Sequence, residues 1–365
     1  MCQDVYQRLA LHLSVLGMGM PTRDDLLVIL RENLSPEETE IALLLPTRVA
    51  PLELTGLSRL MQDSLYVKEE LEKILASLSD RGLILSGKTD SGEIGYALHQ
   101  VGFGFPQTFF WQGPDNPRGQ KMAGLVGKYF NREVTREAFG GSETKPYRYI
   151  PPAGAIAPDQ AVYPYHMMES VINKAKTIAV TNCACRIPFK MKGGKCDHPD
   201  EVCLKYDDMA QYVIDNGLGR EISREEALNI LKMSEEAGLV HFVDNTIEGV
   251  KHTCNCCGCA CWNVGNIKRR KIPRDAIMAT YFMRETYNPI CGRCGICVDV
   301  CPVNALNIDE EYPELDEDWC IGCGVCVLKC PTGAAKIKLR TDVEKVPAPG
   351  FKELYDKIMQ EKGLK

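Results

Sequence analysis

The apolar positions over the first hundred residues follow helical spacing, then strand spacing. Ser35-Pro36-Glu37-Glu38 is a capping box with proline at the first helical position, and it opens a helix through Ile41, Leu44 and Leu45. A second helix fits Leu57 to Met61, and a third runs from Val67 to Leu78 with Leu71, Ile74, Leu75 and Leu78 on one face. Leu83 to Ser86 and Ile94 to Leu98 then make two short strands around the turn Asp90-Ser91-Gly92.

Helices followed by a hairpin are the order of a winged helix, expected over residues 1–100. Such a fold suggests DNA, but residues 1–118 hold 16 Asp and Glu against 10 Lys and Arg, and the third helix carries Glu69, Glu70 and Glu72. Acidic side chains oppose the phosphate contacts that supply most nonspecific affinity, so the expected role is protein docking, with no DNA partner. Gly82 to Thr89 also matches G-x-x-x-x-G-K-[ST] letter for letter. A phosphate loop needs a helix after it, and here a second strand follows, so the match reads as a hairpin.

Residues 101–165 read as an aromatic and Pro-rich connector: Phe103 to Trp111 is aromatic, and Pro151, Pro152, Pro158 and Pro164 mark a boundary near residue 150. Phe109, Phe110 and Trp111 are candidates for a partner surface, although such runs are more often core. Beyond it, Thr177 to Val180 predicts a strand, Glu201 to Asp215 a helix ending near Gly217, and Ser223 the cap of a helix to about Ala237. The final 341–365 segment carries a helix, Phe351 to Gln360, with Phe351, Leu354, Tyr355 and Ile358 on one face for packing or docking.

Composition changes this picture at one residue type. Of 18 cysteines, only Cys2 precedes Cys183. The C-x-x-C and C-x-C spacings suit metal and not a secreted disulfide framework. The N-terminus makes a poor signal peptide, and the longest uncharged run, Ile94 to Pro114, contains four Gly and two Pro. A soluble, cytoplasmic, reduced protein without a membrane span is expected, from an anaerobic setting. The net charge of −6 supplies no field favouring nucleic acid or anionic lipid.

Two segments repeat each other as C-x2-C-x2-C-x3-C-P: Cys291, Cys294, Cys297, Cys301-Pro302, and Cys320, Cys323, Cys326, Cys330-Pro331. Residues 286–340 thereby resemble a bacterial-type two-cluster ferredoxin domain with two 4Fe-4S clusters. The resemblance implies crossed ligation: one cluster on Cys291, Cys294, Cys297 and Cys330, the other on Cys320, Cys323, Cys326 and Cys301.

Nine further cysteines, Cys183, Cys185, Cys196, Cys203, Cys254, Cys256, Cys257, Cys259 and Cys261, crowd a cysteine-rich α/β domain over residues 166–275. Their C-x-C-R and C-N-C-C-G-C segments resemble the middle of larger multi-cluster 4Fe-4S proteins of anaerobes. One or two more iron–sulfur clusters on a subset of these thiols are expected, with zinc as the alternative because His198 and His252 lie nearby. The run Lys268 to Lys271 with Arg274 reads as a solvated face or a docking patch.

The fold class is therefore α+β multidomain: winged-helix-like, cysteine-rich and ferredoxin-like parts. The expected function is that of an electron-transfer protein, or the subunit of an oxidoreductase complex, relaying single electrons between redox partners rather than a catalytic chain. The alternatives are a reductase with a site-differentiated central cluster, using surplus thiols such as Cys257 or Cys261, and a redox-sensing winged-helix regulator.

Overall fold

The computed structural model describes residues 4–157, 163–308, 311–342 and 346–365; Cys2 and Pro158 lie outside them. It is a mixed α/β structure with several small sheets. Two helices that the sequence reading did not delimit, Val5–Ser14 and Asp24–Asn33, precede Pro36–Ala42, whose capping box forms with Ser35 and Glu38 bonding each other's backbone amides. Leu57–Gln62 and Lys68–Asp80 follow. The strands Ile84–Lys88 and Ile94–Leu98 pair antiparallel, and the two-residue strand Thr55–Gly56 adds on the far side of the second. The phosphate-loop match thus lies on a hairpin strand.

A seven-stranded sheet occupies the middle of the molecule, in the order Met278–Ala279, Tyr147–Ile150, Val240–Asp244, His252–Cys256, Glu201–Tyr206, Ile178–Asn182, Arg220–Glu221. Every pairing is antiparallel except that of Met278–Ala279 with Tyr147–Ile150. Side chains alternate between its faces. Ile178, Val180, Val202, Leu204 and Val243 pack with the helices Met168–Lys174 and Arg224–Glu236, whereas Ala179, Val240 and Phe242 join the core that continues into the N-terminal helices.

Two expectations are corrected here. Glu201–Tyr206 is a strand, and only Asp208–Asp215 is helical. Val202 to Tyr206 are buried, so sheet pairing overrides the helical propensity of Glu, Leu and Lys. The supposed connector holds the helices Pro117–Tyr129 and Arg132–Phe139 and the fully buried strand Tyr147–Ile150. Its aromatic run is core: Phe103, Phe109, Phe110 and Trp111 are all buried, which removes the last three as a partner surface.

The C-terminal part has approximate internal two-fold repetition. Phe282–Thr286 pairs with Ala335–Leu339, Leu306–Ile308 pairs with Pro313–Leu315, and short helices Ile296–Asp299 and Val325–Leu328 lie between. The last helix, Phe351–Glu361, returns to the N-terminal core instead of facing solvent: Phe351 and Tyr355 meet Phe103 edge-on, and the Tyr355 hydroxyl donates to Met18 Sδ at 3.3 Å.

Candidate metal centres

The sheet register assembles the central thiols. Leu204 is opposite Thr253, so the preceding Cys203 and the following Cys254 are neighbours across two strands. Cys183 and Cys185 follow the strand Ile178–Asn182, and Cys256 ends the strand His252–Cys256; both strands run antiparallel to Glu201–Tyr206, so their last residues reach the same end of the sheet. Six thiols gather there as a ring of neighbours, in the order Cys183, Cys203, Cys254, Cys256, Cys261 and Cys185. All six line one cavity. The Trp262 amide donates to Cys185 Sγ and the Asn263 amide to Cys261 Sγ, both at 3.3 Å. The neighbouring Cys203 and Cys256 thiols, and then the Lys205 charge, pull the Cys254 thiol down to about 5 against the effect of burial.

Buried cations surround this ring. Lys205 is 2% exposed, with its ammonium 4.6 Å from the Trp111 ring centre, and its charge favours the thiolates of Cys203 and Cys254. Arg186 is 0% exposed. It donates to the Asn255 carbonyl at 3.1 Å, its Nε is 3.8 Å from the Asp200 carboxylate, and its Nη2 has no hydrogen-bond partner among the described residues. Buried cations of this kind need nearby negative charge, and an iron–sulfur cluster on thiolates supplies it.

The other three central cysteines stand apart. Cys196, Cys257 and Cys259 gather with His198, all four donor atoms lying within 4.8 Å of one another. The nine thiols therefore divide into six and three. His252, the other histidine considered, stays out of this group: its Nδ1 is 3.1 Å from Asp244, and its ring packs against Phe103 and Tyr147.

In the C-terminal repeat, Cys301 lines one cavity with Cys320, Cys323 and Cys326. Burial pushes the Cys326 thiol up to about 12, so its thiolate calls for a cationic partner. Cys291, Cys294 and Cys297 lie nearer the surface, with Cys294 exposed. Thr332, two residues after Cys330, packs against Gly292, the neighbour of Cys291. Turns of matching conformation shape both loops: Gly295 and Gly324 have φ of 74° and 75°, and Arg293 and Gly322 have 53° and 61°. Backbone amides of Ala305 and Ala335 donate to Cys301 and Cys330 at 3.2 and 3.4 Å. The buried Arg284 lines the Cys301 cavity and also reaches Cys297 at 3.8 Å.

The arginines of the basic run bond within the molecule, whereas Lys268 and Lys271 stay exposed as a solvated face. Arg269 holds the carbonyls of Gly258, Cys259 and Cys261; Arg270 reaches Phe130 and Thr135; and Arg274 donates to Cys320 and Glu317 carbonyls. Sequence reasoning missed Lys205 and Arg284, and met Arg186 only as the last letter of the C-x-C-R segment. The Arg directly after Cys185 was the one available signal.

Residues 290–334 match the family model of the 4Fe-4S dicluster domain, so this segment is an iron–sulfur domain. No curated protein and no solved structure matches the chain. No described helix is long and apolar enough to cross a membrane.

Proposed function

We propose that this chain relays single electrons through a continuous series of iron–sulfur clusters, as a carrier or as the electron-transfer subunit of an oxidoreductase complex. One contact carries the reading. Gly258, in the loop between Cys257 and Cys259, lies against the carbonyl of Pro302, the residue after Cys301, so closely that a Cβ there would overlap it. The fully buried Tyr149 is within electrostatic reach of Cys256 and Cys261 of the ring and of Cys323 of the C-terminal cavity. The central ring and the dicluster segment are therefore adjoining sites, and not separate modules on a tether.

The donors fit such clusters: thiols with amide donors to sulfur and buried cations beside them. Cys320, Cys323, Cys326 and Cys301 would hold one, Cys291, Cys294, Cys297 and Cys330 a second, and four of the six ring thiols a third. Clusters held wholly by thiolates supply one-electron transfer and leave no open position for substrate. Arg284 lies beside both C-terminal sets and Arg186 beside the ring, where their charge favours the more negative, reduced state. The partners are redox proteins, and the compartment is the reducing cytoplasm.

Anaerobically purified full-length protein should contain about eight iron with matching sulfide from the dicluster segment, and about four more from the ring. Each cluster should take up one electron in a reductive titration followed by EPR. Iron below eight, or a reduced-state EPR signal that changes on adding cyanide, would overturn the relay in favour of another metal or an open-site reductase.

A further inference from the structure

The geometry points to a second kind of metal centre in this chain: a mononuclear, tetrahedral zinc site formed by Cys196, His198, Cys257 and Cys259. It holds whether or not the neighbouring ring binds iron.

The argument is one of size. Thiolates bound to a single zinc ion at about 2.3 Å stand about 3.8 Å apart along the edges of a tetrahedron, and a zinc-bound imidazole nitrogen stands slightly closer to each sulfur. Cys196 Sγ lies 3.8 Å from Cys257 Sγ and 3.1 Å from Cys259 Sγ. His198 Nδ1 lies 3.4 Å from Cys196 Sγ and 3.8 Å from Cys259 Sγ. The thiolates around a 4Fe-4S cube radiate from four separate irons and stand roughly 6 Å apart. No pair of donors in this group is separated by more than 4.8 Å. The group has room for one ion and not for a cube.

Its chemistry agrees with its size. Three sulfurs and one imidazole nitrogen form a Cys3His set, a closed structural zinc arrangement without a place for water. The short spacings Cys196-x-His198 and Cys257-x-Cys259 present two donors from each of two segments. The Ala260 amide donates to Cys257 Sγ at 3.5 Å, and Arg269 fixes the carbonyls of Gly258 and Cys259. The buried Arg186, which the Cys257 charge also influences, offsets the net negative charge that three thiolates leave around a divalent ion.

Placement suggests what the ion does. Cys257 and Cys259 lie between the ring members Cys256 and Cys261, and Gly258 between them touches Pro302. An ion here would clamp the loop joining the ring to the dicluster segment without taking part in electron transfer.

The test uses full-length protein produced anaerobically with Zn2+ in the medium and assayed for zinc, iron and sulfide. Wild type is expected to carry one zinc per chain, with an X-ray absorption edge fitted by three sulfurs and one nitrogen. His198→Ala should lose that zinc with iron and sulfide unchanged, and His198→Cys should retain it with four sulfurs. The wild-type absorption spectrum decides the matter if the alanine variant does not fold. Absence of zinc from wild type, or loss of iron in His198→Ala while zinc stays, would overturn the assignment.

Discussion

Arg274 donates from Nη1 to the carbonyl oxygen of Cys320 at 2.7 Å, tying the end of the cysteine-rich region to the first thiol of the second C-terminal loop. The same nitrogen also bonds the Glu317 carbonyl, and the side chain is buried. A guanidinium so placed orders the loop backbone and sets positive charge beside a thiolate. Arg274→Ala should therefore destabilise the protein by about 2–3 kcal/mol, the cost of losing charged hydrogen bonds to buried carbonyls. It should also lower the reduction potential of one cluster, since a cation favours the reduced state. Denaturant unfolding and a potentiometric EPR titration check the two effects. An unchanged potential would show that the contact is only structural.

Cys301 shares its cavity with Cys320, Cys323 and Cys326, although it belongs by sequence to the other run. Cys301→Ser should change the EPR signal of the cluster on those three thiols and leave that on Cys291, Cys294 and Cys297 as in wild type. The reverse pattern would mean that each run serves its own cluster. Because the two loops are related by an approximate two-fold, Cys330→Ser should give the mirror-image result.

How much of this was readable beforehand follows from the range of the interactions involved. Ser35 and Glu38 are three residues apart, so their capping box is visible in the sequence and forms as expected. The repeated C-x2-C-x2-C-x3-C-P runs are equally local, and the dicluster segment follows from them. The division of the nine central thiols is not local. It depends on Cys203 and Cys254 meeting through strand register, and on Cys196 folding back 61 residues to meet Cys257. Tyr147–Ile150 was hidden for a different reason: a strand buried on both faces shows no alternation, and the prolines after it resemble a linker.

His99 gives the fold a pH dependence. Its ring is buried, with Nε2 3.1 Å from the Tyr212 hydroxyl and Nδ1 3.2 Å from the Phe103 carbonyl. Burial pushes it down to about 3, against the opposing pull of the carbonyl. The folded value lies below the unfolded one, so the unfolded chain alone takes up this proton between about pH 6.5 and 3. The stability is complete above pH 6.5 and falls by up to about 1.4 kcal/mol per pH unit on acidification. His166, buried beside Arg148, adds a dependence of the same sign. Anaerobic unfolding measured from pH 7 to 5 should show His99→Gln with a shallower slope than wild type. Equal slopes would mean that His99 takes up its proton as readily in the fold as in the unfolded chain.

The N-terminal helices should bind a protein and not DNA. Glu69, Glu70 and Glu72 project from Lys68–Asp80 as exposed side chains, and Leu65 and Val67 just before the helix are exposed apolar residues. An acidic rim around an apolar tip suits a basic protein surface, where charge sets the association rate and apolar contact the residence time. A duplex would meet like charge along the same helix. The full-length holoprotein should thus show no duplex binding tighter than about 10⁻⁴ M at 0.1 M salt, the weak end of nonspecific affinity. Replacing Glu69, Glu70 and Glu72 together by Lys should slow electron transfer to its redox partner while leaving iron content unchanged. Tight, salt-sensitive binding of the unaltered protein to DNA would reverse the assignment and make the iron–sulfur centres the sensing part of a regulator.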